Sequence, residues 1–162
     1  DLAYLDPPYN RHRYTANYHV WETLVAWDAP EHYGLACKRT EVRDEPTSIF
    51  NRKREMPGAL AEVVETVEAD LVVLSYNDES WISRDQLVDM CKVRGEVRVL
   101  AFEQDRYVGA RIGIHGPDGS RVGEVSHTRN LEYLVLAGDS TMLRCMGRAV
   151  AEANGRQLAL DG

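Results

Sequence analysis

Asp6-Pro7-Pro8-Tyr9 is the stretch whose residue types are best arranged for chemistry. Two consecutive prolines fix φ and remove two backbone N–H donors, while both carbonyls stay free as acceptors. With a carboxylate on one side and an aromatic ring on the other, the result is a rigid rim of acceptors beside a stacking surface. Such a rim suits a flat heterocycle that carries an exocyclic amine. In adenine the N6 lone pair is delocalised into the ring, which makes the amine a poor nucleophile. The Asp6 carboxylate and a prolyl carbonyl, each accepting one N6–H, would help localise that pair on nitrogen. The Tyr9 ring would stack on a base flipped out of a duplex. Ser75 and Asn77, near the end of a second apolar run, either line the same pocket or end a strand, and lining is the reading we take forward. Arg11 and Arg13 adjoin the turn and suit phosphate contacts, which position a nucleic acid without reading its sequence.

These residues need elements to hold them. Leu2 to Leu5 reads as a short buried strand, so Asp6 lies at a strand's carboxyl end, where open α/β sheets place their ligand crevice. A helix is predicted from Tyr18 to Trp27, with Val20, Leu24 and Trp27 on one face and Ala29-Pro30 stopping it. Residues 30–56 read as a long irregular stretch. Pro57 opens a helix running from Ala59 to about Ala69, with Leu60, Val63, Val64 and Val67 inward. The apolar run from Asp70 to Tyr76 predicts a strand covered on both faces. Ser83 and Gln86 form a capping box for a helix to about Val93, ended by Gly95. Glu96 to Glu103 and Leu131 to Ala137 read as strands. Pro117-Asp118-Gly119 predicts a hairpin between 111–115 and 121–125, and Ser140 a cap for a last helix to about Ala153. Alternating strands and helices imply an α/β sheet with an antiparallel portion near the C-terminus.

At 162 residues the chain fits one domain. The three cysteines, Cys37, Cys91 and Cys145, are widely spaced without a CxxC pair, which favours reduced thiols in the cytoplasm over a disulfide frame. The five histidines show no metal-ligand spacing, so no metal is expected. No apolar run approaches a membrane span. The net charge of −7 argues against a nucleic-acid partner, but residues 10–54 carry +2 and the remainder −9. Lys38, Arg39, Arg52, Lys53 and Arg54 read equally as phosphate contacts or as solvated charges. Trp21 and Trp27 read as packing groups, and Tyr14 and Tyr18 either pack or stack on bases.

Asp6-Pro7-Pro8-Tyr9 after a short apolar strand resembles the catalytic motif of the N6-adenine-specific DNA methyltransferases. The continuation Asn10-Arg11, Tyr14, Asn17-Tyr18-His19 and Glu22-Thr23 is similar to the Dam-like branch of that family. Leu74-Ser75-Tyr76-Asn77-Asp78 resembles its next pocket strand and Glu132-Tyr133-Leu134-Val135-Leu136 its last, so the resemblance reaches from residue 1 to about 138. It implies methyl transfer from S-adenosyl-L-methionine to adenine N6 in double-stranded DNA, on a Rossmann-like sheet. By position it puts Asp6, Pro7 and Tyr9 on the amine and the base, and the expected site is Asp6, Pro7, Pro8 and Tyr9 as the catalytic turn with Asn10, Arg11, Arg13, Tyr14, Tyr18, Ser75 and Asn77 as substrate-binding residues. A cognate restriction endonuclease is the further partner it suggests.

The family's glycine-rich cofactor turn has no counterpart here. Gly109, Gly113 and Gly116 read as turn and bulge glycines, and Leu136-Ala137-Gly138-Asp139 carries a single glycine. The chain also opens without Met inside a strand. The expectation is therefore the C-terminal part, residues 1–162, of a single methyltransferase domain whose cofactor-motif half lies upstream, and weak binding of S-adenosylmethionine by this chain alone. Two rival expectations are guanine-N2 methylation of ribosomal RNA and a non-catalytic nucleic-acid interaction module.

Overall fold

Leu71-Val72-Val73-Leu74 is an unbroken apolar run, and the sheet is built around it. In the computed structural model, which describes residues 1–8, 11–105, 129–154 and 158–159, these residues begin strand β4 (Leu71–Asn77). On one side β4 pairs in parallel with β1 (Leu2–Leu5), Leu2 opposite Leu71 through Leu5 opposite Leu74. On the other it pairs antiparallel with β6 (Arg129–Gly138), from Leu71 opposite Gly138 to Asn77 opposite Glu132. β5 (Glu96–Asp105) lies antiparallel beyond β6, and the two-residue β7 (Leu158–Ala159) pairs with β5, giving the order β1-β4-β6-β5-β7. The fold is thus mixed α/β, with one parallel pair in a mostly antiparallel sheet.

Alternation along β4 sends successive side chains to opposite faces. Leu74 and Tyr76 join Met56, Leu60 and Val64 of α3 (Met56–Thr66) and Leu87 and Cys91 of α4 (Arg84–Cys91). Leu71 and Val73 join Leu143 of α5 (Ser140–Asn154) on the other face, with Leu100 and Leu136. Full burial of each leucine contributes roughly 2 kcal/mol. α3 starts one residue before Pro57, which suits a first turn whose N–H groups need no helical partner. The predicted capping box at Ser83 and Gln86 is present, and a 3-10 turn at Lys92–Arg94 carries the chain to Gly95, whose φ of +116° favours glycine. The last helix is capped not by Ser140 but by Asp139, which accepts the Thr141 N–H at 2.8 Å on its side chain and the Leu143 N–H at 3.0 Å on its carbonyl.

Four expectations change. β1 is an outer strand of the described sheet rather than a buried one, and Leu2 and Tyr4 are exposed. The first helix, α1, runs Tyr14–Ala26 and closes on Trp27 in the left-handed region. Trp21 and Trp27 are not packed: they are 62% and 85% exposed. A shared helical face tells which residues point together, not whether anything covers them. The stretch read as irregular holds a small ribbon, β2 (His32–Tyr33) with β3 (Lys38–Arg39), the short helix α2 (Glu41–Asp44), and a 3-10 turn at Ile49–Asn51. The predicted hairpin at 111–125 lies outside the described residues.

Candidate active site

Because β1 and β4 are parallel and β6 runs against them, one rim of the sheet gathers the carboxyl ends of β1 and β4 and the amino end of β6. Asp6, Pro7 and Pro8 leave β1 there, with Asp6 exposed and both prolines half-buried. Asn77, Asp78 and Glu79 leave β4, and Asn130 to Glu132 enter β6. Tyr9 and Asn10 lie outside the described residues. Ser75 is half-buried on β4 opposite Leu134.

Asn77 organises this rim from below. Its side chain is buried, donates from Nδ2 to Glu132 Oε1 at 2.6 Å, and accepts the Glu79 N–H on Oδ1 at 2.7 Å. Its carbonyl accepts the Ser80 hydroxyl, and the Asp78 N–H donates to the Leu131 carbonyl at 3.0 Å. A buried amide with both ends engaged is rigid, since breaking either bond leaves a desolvated polar group. Burial raises the Glu132 carboxyl above the usual carboxylate range; the Asn77 hydrogen bond opposes this, while the negative charges of Asp78 and Asp6 add to it. Burial likewise raises the Tyr14 phenol, with Asp6 and then Tyr18 adding to the effect. Asp6 therefore lies within electrostatic reach of Tyr14 on α1 and of Glu132 on β6. Glu132 was missed as a site residue by sequence reasoning. Its only signal there was an acid opening an apolar strand.

The segment after the turn is tied to the long loop at two points. Arg13 Nη1 donates to the Glu45 carbonyl at 2.9 Å, and Asn51 Nδ2 donates to the His12 carbonyl at 3.1 Å. Arg11 is exposed. The Tyr14 and Tyr18 rings sit on the exposed side of α1, centroids 5.9 Å apart and tilted by 53°. Arg39, one of the cations weighed as a phosphate contact, is instead buried between Asp28 and Glu41. Arg52 pairs with Glu55 at 2.9 Å.

Among the described residues no glycine-rich turn links a strand to a helix. Gly138, at the end of β6 before α5, is used for packing: a Cβ there would lie 2.6 Å from the Asp70 carbonyl oxygen. Among the described residues no group of three or more His, Cys, Asp or Glu is placed to hold a metal ion, and no helix is long and apolar enough to cross a membrane.

The rim thus brings the Asp6-Pro7-Pro8 turn, Asn77 and Glu132 to the strand ends of a mixed α/β sheet. Comparison with known proteins gives the family. The model of the D12 class N6 adenine-specific DNA methyltransferases matches residues 1–90, and the chain belongs to that family. It is 33% identical over 95 residues to the type II methyltransferase M.FokI of Planomicrobium okeanokoites, covering 59% of this chain and 14% of that protein. It is 30% identical over 128 residues to the modification methylase LlaI of Lactococcus lactis subsp. lactis, covering 77% of this chain and 20% of that protein. It is 32% identical over 118 residues to the type II methyltransferase M.CviAII of Paramecium bursaria Chlorella virus 1, covering 73% and 34%. The chain thus spans about a third or less of the length of these relatives. No solved structure matches it.

Proposed function

We propose that this chain supplies the target-base side of an enzyme that transfers methyl from S-adenosyl-L-methionine to adenine N6 in double-stranded DNA. The observation that carries this reading is the Asp6-Pro7-Pro8 turn, set on the strand-end rim beside Tyr14 and Glu132, in a chain of the D12 family. When bound, S-adenosylmethionine supplies an electrophilic methyl group on a sulfonium. This chain's residues act on the other partner. Asp6 and the Pro7 carbonyl each accept one N6–H, Pro8 keeps the turn rigid, and Tyr9 stacks on the flipped base. Asn10, Arg11, Arg13, Tyr14, Tyr18, Ser75 and Asn77 shape the surrounding contact. Positioning supplies most of the acceleration, because the amine attacks directly and sheds its proton afterwards.

Membership of the D12 family supports a methyltransferase domain with a Rossmann-like sheet as the setting of this chain. The relatives' names, type II methyltransferase and modification methylase, support a role beside a cognate restriction endonuclease. The three unpaired thiols support a reducing, cytoplasmic setting. Guanine-N2 methylation of RNA and a non-catalytic module draw no support from the same comparisons.

The test is N6-methyladenine in plasmid DNA from cells expressing the complete protein, measured by nucleoside mass spectrometry. Asp6→Ala is expected to abolish the mark. Methylation persisting at the wild-type level would remove Asp6 from the role.

A further inference from the structure

We propose that Glu132 is a positioning residue of the Asp6 rim, its carboxylate held by Asn77 so that a second negative charge stands beside the amine Asp6 binds. The inference rests on the adenine-N6 reading above. Three observations carry it.

The first is register. Asn77 lies opposite Glu132, and Leu5, the residue before Asp6, lies opposite Leu74, so Asp6 and Glu132 stand at the same rim on β1 and β6, the two strands that flank β4. The second is the support. Asn77 is 4% exposed at the end of a strand whose other buried residues are Leu, Val and Tyr. A buried amide costs stability unless every partner is present, and an apolar side chain would fill the position with less risk. What this amide achieves is to fix one oxygen of Glu132 at 2.6 Å and the turn at Glu79 at 2.7 Å. The third is charge. Among the described residues, the charged side chains that reach Glu132 are Asp78 after β4 and Asp6 after β1, both acids, and its cross-strand neighbour on β5 is Phe102. A carboxylate placed for stability would face a cation. This one faces two more carboxylates, and its Oε2 has no hydrogen bond among the described residues.

A cluster of acids around a binding rim is unfavourable in the empty protein and favourable once positive charge arrives. Adenine N6 provides that charge. Its lone pair forms the new N–C bond, the electron pair of the breaking bond leaves with the methyl donor, and nitrogen stays cationic until a proton passes to water. Glu132 acts on this cation through space, reinforcing Asp6.

The test uses the complete protein, a DNA duplex and S-adenosylmethionine. Glu132→Gln keeps an acceptor for Asn77 and removes the charge. Turnover is expected to fall roughly tenfold while the KM for DNA changes by less than about twofold, since the charge matters most to the cationic state. Glu132→Asp keeps the charge and is expected to recover part of the loss. If Glu132→Gln does not fold, Asn77→Ser, which frees the carboxyl without deleting it, carries the same expectation. Wild-type turnover in Glu132→Gln, a loss confined to KM, or equal losses in the Gln and Asp variants would overturn the inference. Asp6→Ala run in parallel separates the two levels. An inactive Asp6→Ala beside a fully active Glu132→Gln removes the Glu132 role alone. An Asp6→Ala that methylates normally removes the base-binding reading and this inference with it.

Discussion

Arg39 holds Asp28 through two parallel hydrogen bonds, Nη1 to Oδ1 and Nη2 to Oδ2, both 2.8 Å long. The same guanidinium reaches Glu41 at 2.8 Å and Thr23 Oγ1 at 3.3 Å. One side chain thus joins the C-terminal end of α1 to β3 and α2, and so helps set where the segment after Asp6 lies. The rank expected for thermal midpoints is wild type above Arg39→Lys above Arg39→Ala, because lysine keeps the charge but loses the planar fork. A Lys variant as stable as wild type would show that the fork is idle.

The same pair gives a pH dependence. The hydrogen bond from Arg39 holds the Asp28 carboxyl below its ordinary range. A carboxyl depressed in the folded state stabilises the protein above its unfolded value, and that contribution is lost as pH falls through the folded value. The urea midpoint is therefore expected to decline on acidification, and the decline to be shallower in Asp28→Asn. The effect is modest, since the Asp28 side chain is 41% exposed and screened by salt.

Two glycines are expected to respond to alanine with opposite signs. At Gly138 the added methyl meets the Asp70 carbonyl oxygen at 2.6 Å, which forces β4 and β6 apart. Chemical denaturation should show a loss of about 1–3 kcal/mol. At Gly58, early in α3, nothing lies within 4 Å of the new methyl. Alanine there should add about 0.5 kcal/mol through helix propensity and a less disordered unfolded chain.

Thiol labelling under native conditions should separate the cysteines. Cys37 and Cys145 are exposed, whereas Cys91 is buried and burial pushes its thiol up to about 11. Cys37 and Cys145 are expected to react with an aromatic disulfide reagent promptly, and Cys91 only at the rate of opening or unfolding. Prompt labelling of Cys91 would contradict the packing of α4.

The two arginines beside the turn are expected to behave differently in DNA binding. Arg11 is exposed, so Arg11→Ala should lower the slope of log affinity against log salt by roughly 0.9. Arg13 is engaged with the Glu45 carbonyl. Its alanine variant should loosen the loop beyond α2, read as faster amide hydrogen exchange around Glu45.

The central strand and the helices against it were legible because their signals are local. Continuous apolar residues at 71–74, Pro57 and the Ser83–Gln86 box need no distant partner to be read. The strand-end position of Asp6 followed from Leu2 to Leu5 in the same way. Other features depend on what lies across space. Asn77 and Glu132 are 55 positions apart, and only the β4–β6 register makes them partners. Arg39 looked like any loop cation until Asp28 and Glu41 closed on it. The β2–β3 ribbon has two residues per strand, too few for alternation to show. Trp21 and Trp27 failed as core predictions because hydrophobicity cannot report a missing cover.

Among the described residues β1 is paired on one side only, so four residue pairs, Leu2–Leu71 to Leu5–Leu74, index the whole rim. A slip of one residue would turn Asp6 toward the opposite face of the sheet and shift it by about 3.3 Å along the strand. The spacing between the Asp6 and Glu132 charges is thus set by a ruler four leucine-rich rungs long. Substitutions at Leu5 or Leu74 that never touch a substrate would be read out as errors of alignment.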